Sequence, residues 1–150
     1  MRTSAAGNRA QAARGFTLLE LMVVVAIIAM ASAGVGFALR DTASSTLERE
    51  AQRLAALFEA GRAQSRASGV PLRWRALERG FRFEGAAPGT LPEHWLSDDT
   101  VVAARAIVQL GPEPIIGAQE LVLRNTAQPQ LALRVVTDGV RPFTVQPWAP

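Results

Sequence analysis

Arg14-Gly15-Phe16-Thr17-Leu18-Leu19-Glu20, with the apolar run Leu21–Leu39 behind it, decides how this chain is organised. Leu21–Leu39 is 19 residues without a charge, and in the 24 residues of Phe16–Leu39 the only charge is Glu20. As a helix the longer stretch measures about 36 Å, against a hydrocarbon core of about 30 Å. The pattern predicts a transmembrane helix over 16–39 with one carboxylate inside it. An ionised carboxylate near the bilayer centre costs at least ~2.5 kcal/mol, so Glu20 needs a reason to be there.

Toward the N-terminus, residues 1–15 carry Arg2, Arg9 and Arg14 and no acid. These three account for the formal net charge of +3, because the remaining thirteen Arg meet thirteen Asp and Glu. Arg40, by contrast, is followed at once by Asp41. The Arg asymmetry places the N-terminus in the cytoplasm and the C-terminal bulk outside. Basicity confined to a leader is weak support for nucleic-acid binding despite a pI near 11.2. The hydrophobic share of 49% is concentrated in the one run, which points to a membrane segment more than to an unusually apolar core. The 150 residues suffice for one domain of modest core size. With no cysteine there is no disulfide framework, thiol nucleophile or Cys-based zinc site.

On residues alone three readings of the run stay open. A secretory signal peptide fits the basic start, the apolar core and Ala31-Ser32-Ala33 as an A-x-A-like cleavage site, which would start the mature chain at Gly34. A permanent signal anchor fits the length. The third is a segment that needs Glu20, which neither of the others explains.

The seven residues Arg14–Glu20 resemble the prepilin signal of type IV pilins and type II secretion pseudopilins: a basic leader ending in Gly, then Phe, then Thr-Leu-Leu-Glu and an apolar helix. The resemblance implies that a prepilin peptidase cuts on the cytoplasmic side at Gly15–Phe16, that the new N-terminal Phe16 is methylated, and that Glu20 pairs with the Phe amine of a neighbouring subunit. The chemistry suits the spacing. Gly15 has no Cβ to hinder the peptidase, and an amine paired with a carboxylate in low dielectric relieves the desolvation of both. Small residues at four-residue spacing, Ala29/Ala33, Ser32/Gly36 and Gly34/Ala38, suit close helix packing in a membrane. Gly34-Val35-Gly36 is no dinucleotide loop, since no strand precedes it.

From Thr46 the pattern becomes amphipathic. Leu47, Ala51, Leu54, Phe58, Gly61 and Ser65, widened by Ala55 and Leu57, form one face. Glu50–Arg53 and Glu59–Arg62 read as solvated i,i+3 pairs worth a few tenths of a kcal/mol. The helix over 40–68 continues the spine and stops at Gly69 and Pro71. From 69 to 150 the period approaches two. Strands are predicted over Leu72–Leu77, Gly80–Gly85, Thr100–Val102, Ala106–Leu110, Glu120–Arg124, Leu131–Thr137 and Pro142–Gln146, with turns at Glu78-Arg79-Gly80 and, as a short hairpin, at Asp138-Gly139. The fold class is α+β, pilin-like: a long N-terminal helix packed on antiparallel β-sheet. The domain reading is leader 1–15, transmembrane helix 16–39, amphipathic helix 40–68 and periplasmic β-rich part 69–150.

This second half resembles the H-type minor pseudopilins of type II secretion through Leu47–Phe58 running into Ala63–Pro71, Arg73-Trp74, Gly80–Phe83, Leu91-Pro92 with Trp95, Gly111–Pro114 and Thr137–Phe143. The resemblance implies a single-pass protein of the bacterial inner membrane. Its implied partners are the prepilin peptidase, the other minor pseudopilins, the major pseudopilin and inner-membrane lipid, in a periplasmic fibre where it links tip to shaft. The alternative is a minor type IV pilin acting in pilus assembly or DNA uptake. DNA binding needs clustered cations, and Arg73, Arg75, Arg79 and Arg82 form the one dense group, read here as the solvated face of a hairpin, so nucleic acid is not expected. Catalysis has little support. His94 is the single histidine, beside Glu93 in a loop; no H-E-x-x-H, G-x-S-x-G or phosphate loop is present; Asp98-Asp99 reads as a turn and not as a calcium pair. The chain is read as the substrate of an enzyme and not itself an enzyme, with no cofactor and no metal.

Overall fold

The computed structural model describes residues 16–148, and of residues 35–41 the backbone alone. The predicted leader with Gly15, and the packing of Gly36 and Ala38 in the small-residue pairs, lie outside what the structure describes.

Helix α1 runs from Leu18 to Ser68. Its start is set by Thr17, whose Oγ1 accepts the Glu20 main-chain N–H at 3.2 Å, while the Thr17 carbonyl takes Leu21 N–H at 3.1 Å. Its end is set by Gly69. This residue adopts a φ of 70°, a left-handed conformation that suits glycine, and donates its N–H to the Ser65 carbonyl at 2.9 Å. The predicted stop near Ser68 is therefore found.

The chain divides into two units, Met1–Phe37 and Ala38–Pro150. In the first, the described side chains from Phe16 to Gly34 are all exposed. Ser32 satisfies its hydroxyl within the helix by donating to the Ile28 carbonyl at 2.8 Å. Among the described residues no helix is long and apolar enough to cross a membrane. The part of the apolar run with described side chains, residues 18–34, measures about 25 Å at 1.5 Å per residue.

In the second unit the expected helix face is the buried one. Leu47, Ala51, Leu54, Ala55 and Phe58 join strand residues in a single hydrophobic cluster. Two antiparallel sheets complete it. The first holds β1 (Leu72–Ala76), β2 (Phe81–Glu84) and β4 (Ile107–Gly111) in the order β2-β1-β4. The second holds β3 (Thr100–Val102), β5 (Gln119–Asn125), β6 (Ala132–Thr137) and β7 (Thr144–Pro147) in the order β3-β5-β6-β7. The β1–β2 hairpin closes where predicted, with Ala76 opposite Phe81 and the Leu77 N–H on the Gly80 carbonyl. Alternation along β1 puts Leu72, Trp74 and Ala76 inside and turns Arg73 and Arg75 out.

Aromatic rings fill the centre. Phe58 meets Trp74 edge-on at 5.6 Å and Phe143 at 4.9 Å, and Phe81 meets Trp95 at 4.7 Å. The helix comes so near the first sheet at Gly61 that a Cβ there would lie 2.7 Å from Leu72 Cδ2. The architecture is α+β and pilin-like, a long N-terminal helix with two antiparallel sheets.

Two expectations need correction. Glu50–Arg53 and Glu59–Arg62 are not solvated surface pairs. Glu50 is 1% exposed and Arg62 3%, and each pair ties the helix to a loop. Glu50 accepts the Leu96 main-chain N–H, Arg53 donates to the His94 carbonyl, Glu59 accepts the Phe143 N–H, and Arg62 donates to the Pro114 carbonyl. The physical reason is that loops 94–96, 112–114 and 143 fold over the flanks of the apolar stripe and bring unpaired main-chain groups there. The second correction is the Asp138-Gly139 connection, which is no two-residue hairpin. Residues 138–143 join β6 to β7. Asp138 Oδ1 accepts the N–H groups of Val140 and Arg141, and Gly139 lies against the Ile116 carbonyl with a φ of 91°.

Candidate functional site

Phe16, Thr17 and Glu20 form the N-terminal site, and local sequence builds it. Thr17 is the N-cap and Glu20 stands three residues into the helix, the spacing of a capping box. One half of that box is present, the Glu20 N–H on Thr17 Oγ1 at 3.2 Å. Phe16 precedes the cap and is 75% exposed; Leu18 and Leu19 are similarly open. The Glu20 side chain is exposed as well. An acid in the first turn suits the positive end of the helix dipole. The cap thus fixes where the helix begins relative to Phe16, so that Phe16 precedes the helix with Glu20 about one turn beyond it. The signal for this role of Thr17 in the sequence is the pattern Thr-x-x-Glu.

Residues 11–36 match the prokaryotic N-terminal methylation motif. The methylation motif covers the leader end, Phe16, Thr17, Glu20 and most of the apolar run, and leaves the β-rich part outside the match. It supports a type IV pilin-like or pseudopilin chain processed by a prepilin peptidase, with a membrane-anchored N-terminus and assembly with other pilin-like subunits. Neither a curated protein nor a solved structure matches the chain. Gly15, the predicted residue before the cut, falls within the methylation motif but outside the described residues, so its geometry is not part of the site as seen.

Away from the methylation motif, the other residues singled out in the sequence resolve into structural roles. Arg73 and Arg75 share an outer face, as alternation requires, but Glu84 stands across from them. Arg75 Nε lies 2.7 Å from Glu84 Oε1 and Arg73 Nη2 lies 3.4 Å from Glu84 Oε2. Arg82 pairs with Glu93 at 3.6 Å. Such exposed pairs add little stability, yet the carboxylates of Glu84 and Glu93 offset two of the four arginine charges that a phosphate backbone would use. Arg79 alone of the four has no ion pair among the described residues. His94 is exposed, and its carbonyl, not its ring, is what Arg53 engages. Asp99 organises a turn: its carbonyl accepts the Thr126 N–H at 2.8 Å and its Oδ1 accepts the Thr126 hydroxyl at 3.2 Å. Among the described residues no group of three or more His, Asp or Glu could hold a metal ion.

Sequence reading missed the bridge between the sheets. The Gln119 side-chain amide accepts the Gln109 N–H at 2.7 Å and donates to the Gln109 carbonyl at 2.9 Å. It copies the hydrogen-bond pattern of a neighbouring strand against the edge of β4. A glutamine in a strand carries no signal that distinguishes this use from simple exposure.

Proposed function

We propose that this chain is a minor pseudopilin of the type II secretion system, of the H type. The observation that carries the reading is the methylation motif at residues 11–36 on the same helix that builds a pilin-like α+β body. In this reading residues 1–15 are removed by a prepilin peptidase at Gly15–Phe16, Phe16 becomes the methylated N-terminus, and residues 16–39 span the inner membrane with the body in the periplasm. The Glu20 carboxylate pairs with the Phe16 amine of a neighbouring subunit and so sets axial register. The subunit joins other minor pseudopilins and the major pseudopilin, linking tip to shaft during export of folded proteins, and it catalyses no reaction itself.

A minor type IV pilin with a role in DNA uptake is the competing reading. The ion pairing of Arg73, Arg75 and Arg82 with Glu84 and Glu93 speaks against it, because phosphate contacts would have to displace those carboxylates. Deletion of the gene in its own host, followed by assays of exoprotein release and of transformation, separates the two. Loss of release with normal transformation supports the pseudopilin. Normal release with lost transformation, restored by the native chain and not by R73E/R75E, supports the pilin.

A further inference from the structure

Phe16 and Thr17 separate the predicted cut from helix α1, which begins at Leu18. The hydrogen bonds show what stops the helix there. The Thr17 carbonyl accepts the Leu21 N–H at 3.1 Å, while Thr17 Oγ1 turns back to accept the Glu20 N–H at 3.2 Å. A residue whose hydroxyl caps in this way takes a non-helical conformation itself. Phe16, ahead of it, is 75% exposed.

The neighbouring sequence favours helix on both sides of this break. Residues 10–14 read Ala-Gln-Ala-Ala-Arg, and residues 18–22 read Leu-Leu-Glu-Leu-Met, strong helix formers throughout. Between them Gly15 disfavours helix, and Thr17 is the side chain that marks the start. Helix running unbroken through residues 15–17 would spend the main-chain groups of the predicted cut internally. The Gly15 carbonyl would accept the Leu19 N–H, and the Phe16 N–H would reach back to the Ala12 carbonyl. Extended backbone offers those groups to another protein; helix has already used them.

We propose that Thr17 is a positioning residue for leader removal: its cap keeps the Gly15–Phe16 peptide out of the helix, so that the peptidase meets extended backbone. This deepens the proposed function and rests on Gly15–Phe16 being the cut site. The methylation motif at residues 11–36 spans cut and cap alike, and is a pointer to processing on this stretch independent of the hydrogen bond. Hydrolysis breaks the bond between the Gly15 carbonyl carbon and the Phe16 nitrogen. Water gives its hydroxyl to Gly15 and a proton to the Phe16 amine. Thr17 supplies no atom to that step and acts through backbone conformation alone. Shape and capping can be told apart at this position. Valine has the outline of threonine and no acceptor, whereas serine and asparagine differ in outline and both cap.

The test uses the full precursor inserted into membrane vesicles that carry the prepilin peptidase, with leader loss followed over time. T17A and T17V should slow it by about fivefold, the population factor that a lost cap carries. T17S and T17N should restore the native rate. In the same full chains in detergent micelles, carbon-13 shifts should show helix reaching Phe16 in T17A and stopping at Leu18 in T17S. Native cleavage of T17V with slow cleavage of T17N overturns the proposal, because the peptidase then reads side-chain shape. Slow cleavage of T17A with an unmoved helix start overturns it too. If the native chain is cut at Gly15–Phe16 and both T17A and T17V match its rate, the positioning role alone falls. A native chain that the peptidase does not cut there overturns the cut-site reading along with it.

Discussion

The Glu50 carboxylate accepts the Leu96 main-chain N–H at 2.5 Å, across 46 residues of sequence, from a position that is 1% exposed. Its other oxygen takes Arg53 Nη1 at 3.0 Å, and Arg53 in turn donates to the His94 carbonyl. Helix and loop are thus fastened by one buried acid. Replacing Glu50 with Ala leaves the Leu96 N–H unpaired and Arg53 without its acid. Leaving a buried donor unsatisfied costs about 1–3 kcal/mol. We expect E50A to lower stability in urea by about that amount, and E48A, one turn-face away and exposed, to change it by less than about 0.5 kcal/mol. Equal midpoints for the two variants would contradict the fastening role.

Gln119 replaces a strand at the β4 edge with two hydrogen bonds. Q119L keeps the volume and removes both, which predicts a loss of about 1–3 kcal/mol together with faster amide exchange at Gln109. Hydrogen exchange measured residue by residue decides it. If the Gln109 N–H stays as protected as in the native chain, the edge is closed by something else.

Asp138 is held down at about 2 from the ordinary 3.8, first by the Arg141 main-chain N–H, then by the Arg141 guanidinium and the Val140 N–H. A carboxyl depressed on folding contributes stability that is present above the unfolded value and lost as pH falls through the folded one. The window is therefore between about pH 4 and pH 2. The group is at the surface, so solvent screening keeps the effect small and salt-sensitive. NMR titration of the Asp138 carboxyl should give a midpoint near 2, and R141A should raise it only part of the way, because the main-chain bonds remain. A native midpoint near 3.8 would mean that this cap does not persist in solution.

Under the proposed pairing, Glu20 separates processing from assembly. E20A keeps Gly15, Phe16 and the apolar run, so insertion and cleavage should proceed at native levels. It removes the proposed partner of the neighbouring Phe16 amine, so incorporation into fibre should fall at least tenfold, and E20D should restore part of it. Blotting for precursor and mature forms, alongside quantification of sheared fibre, reads the two steps independently. Native incorporation of E20A would remove Glu20 from the register role.

Much of this was legible in the sequence, for definable reasons. The helix end at Ser68 was announced by Gly69 and Pro71, and the β1–β2 hairpin by alternation on both sides of Glu78-Arg79-Gly80. These are local signals. The loop-bound ion pairs were not legible, because Glu at i with Arg at i+3 looks the same on a solvated face and under a loop. What covers Glu50 and engages Glu59 is Leu96 and Phe143, 46 and 84 residues away. The Asp138-Gly139 pair signalled a turn correctly and its length wrongly, since the Asp138 carboxylate caps Val140 and Arg141 and so widens the connection. Strand order had no local signal at all; β4 pairs directly with β1 although β2 and β3 lie between them in sequence. At the N-terminal site the signal was dense and consecutive, and the Thr17 cap on the Glu20 N–H gives the Thr-x-x-Glu spacing a structural reason of its own.

The central claim is that the chain is cut between Gly15 and Phe16 and begins, when mature, with a methylated phenylalanine. Intact-mass and N-terminal tandem mass spectrometry on protein purified from membranes of its own host tests it directly. The account predicts a first residue of N-methyl-Phe16, with the unprocessed form accumulating in a strain lacking the prepilin peptidase. A mature chain starting at Gly34, after the Ala31-Ser32-Ala33 site, or an uncut chain starting at Met1, would contradict it.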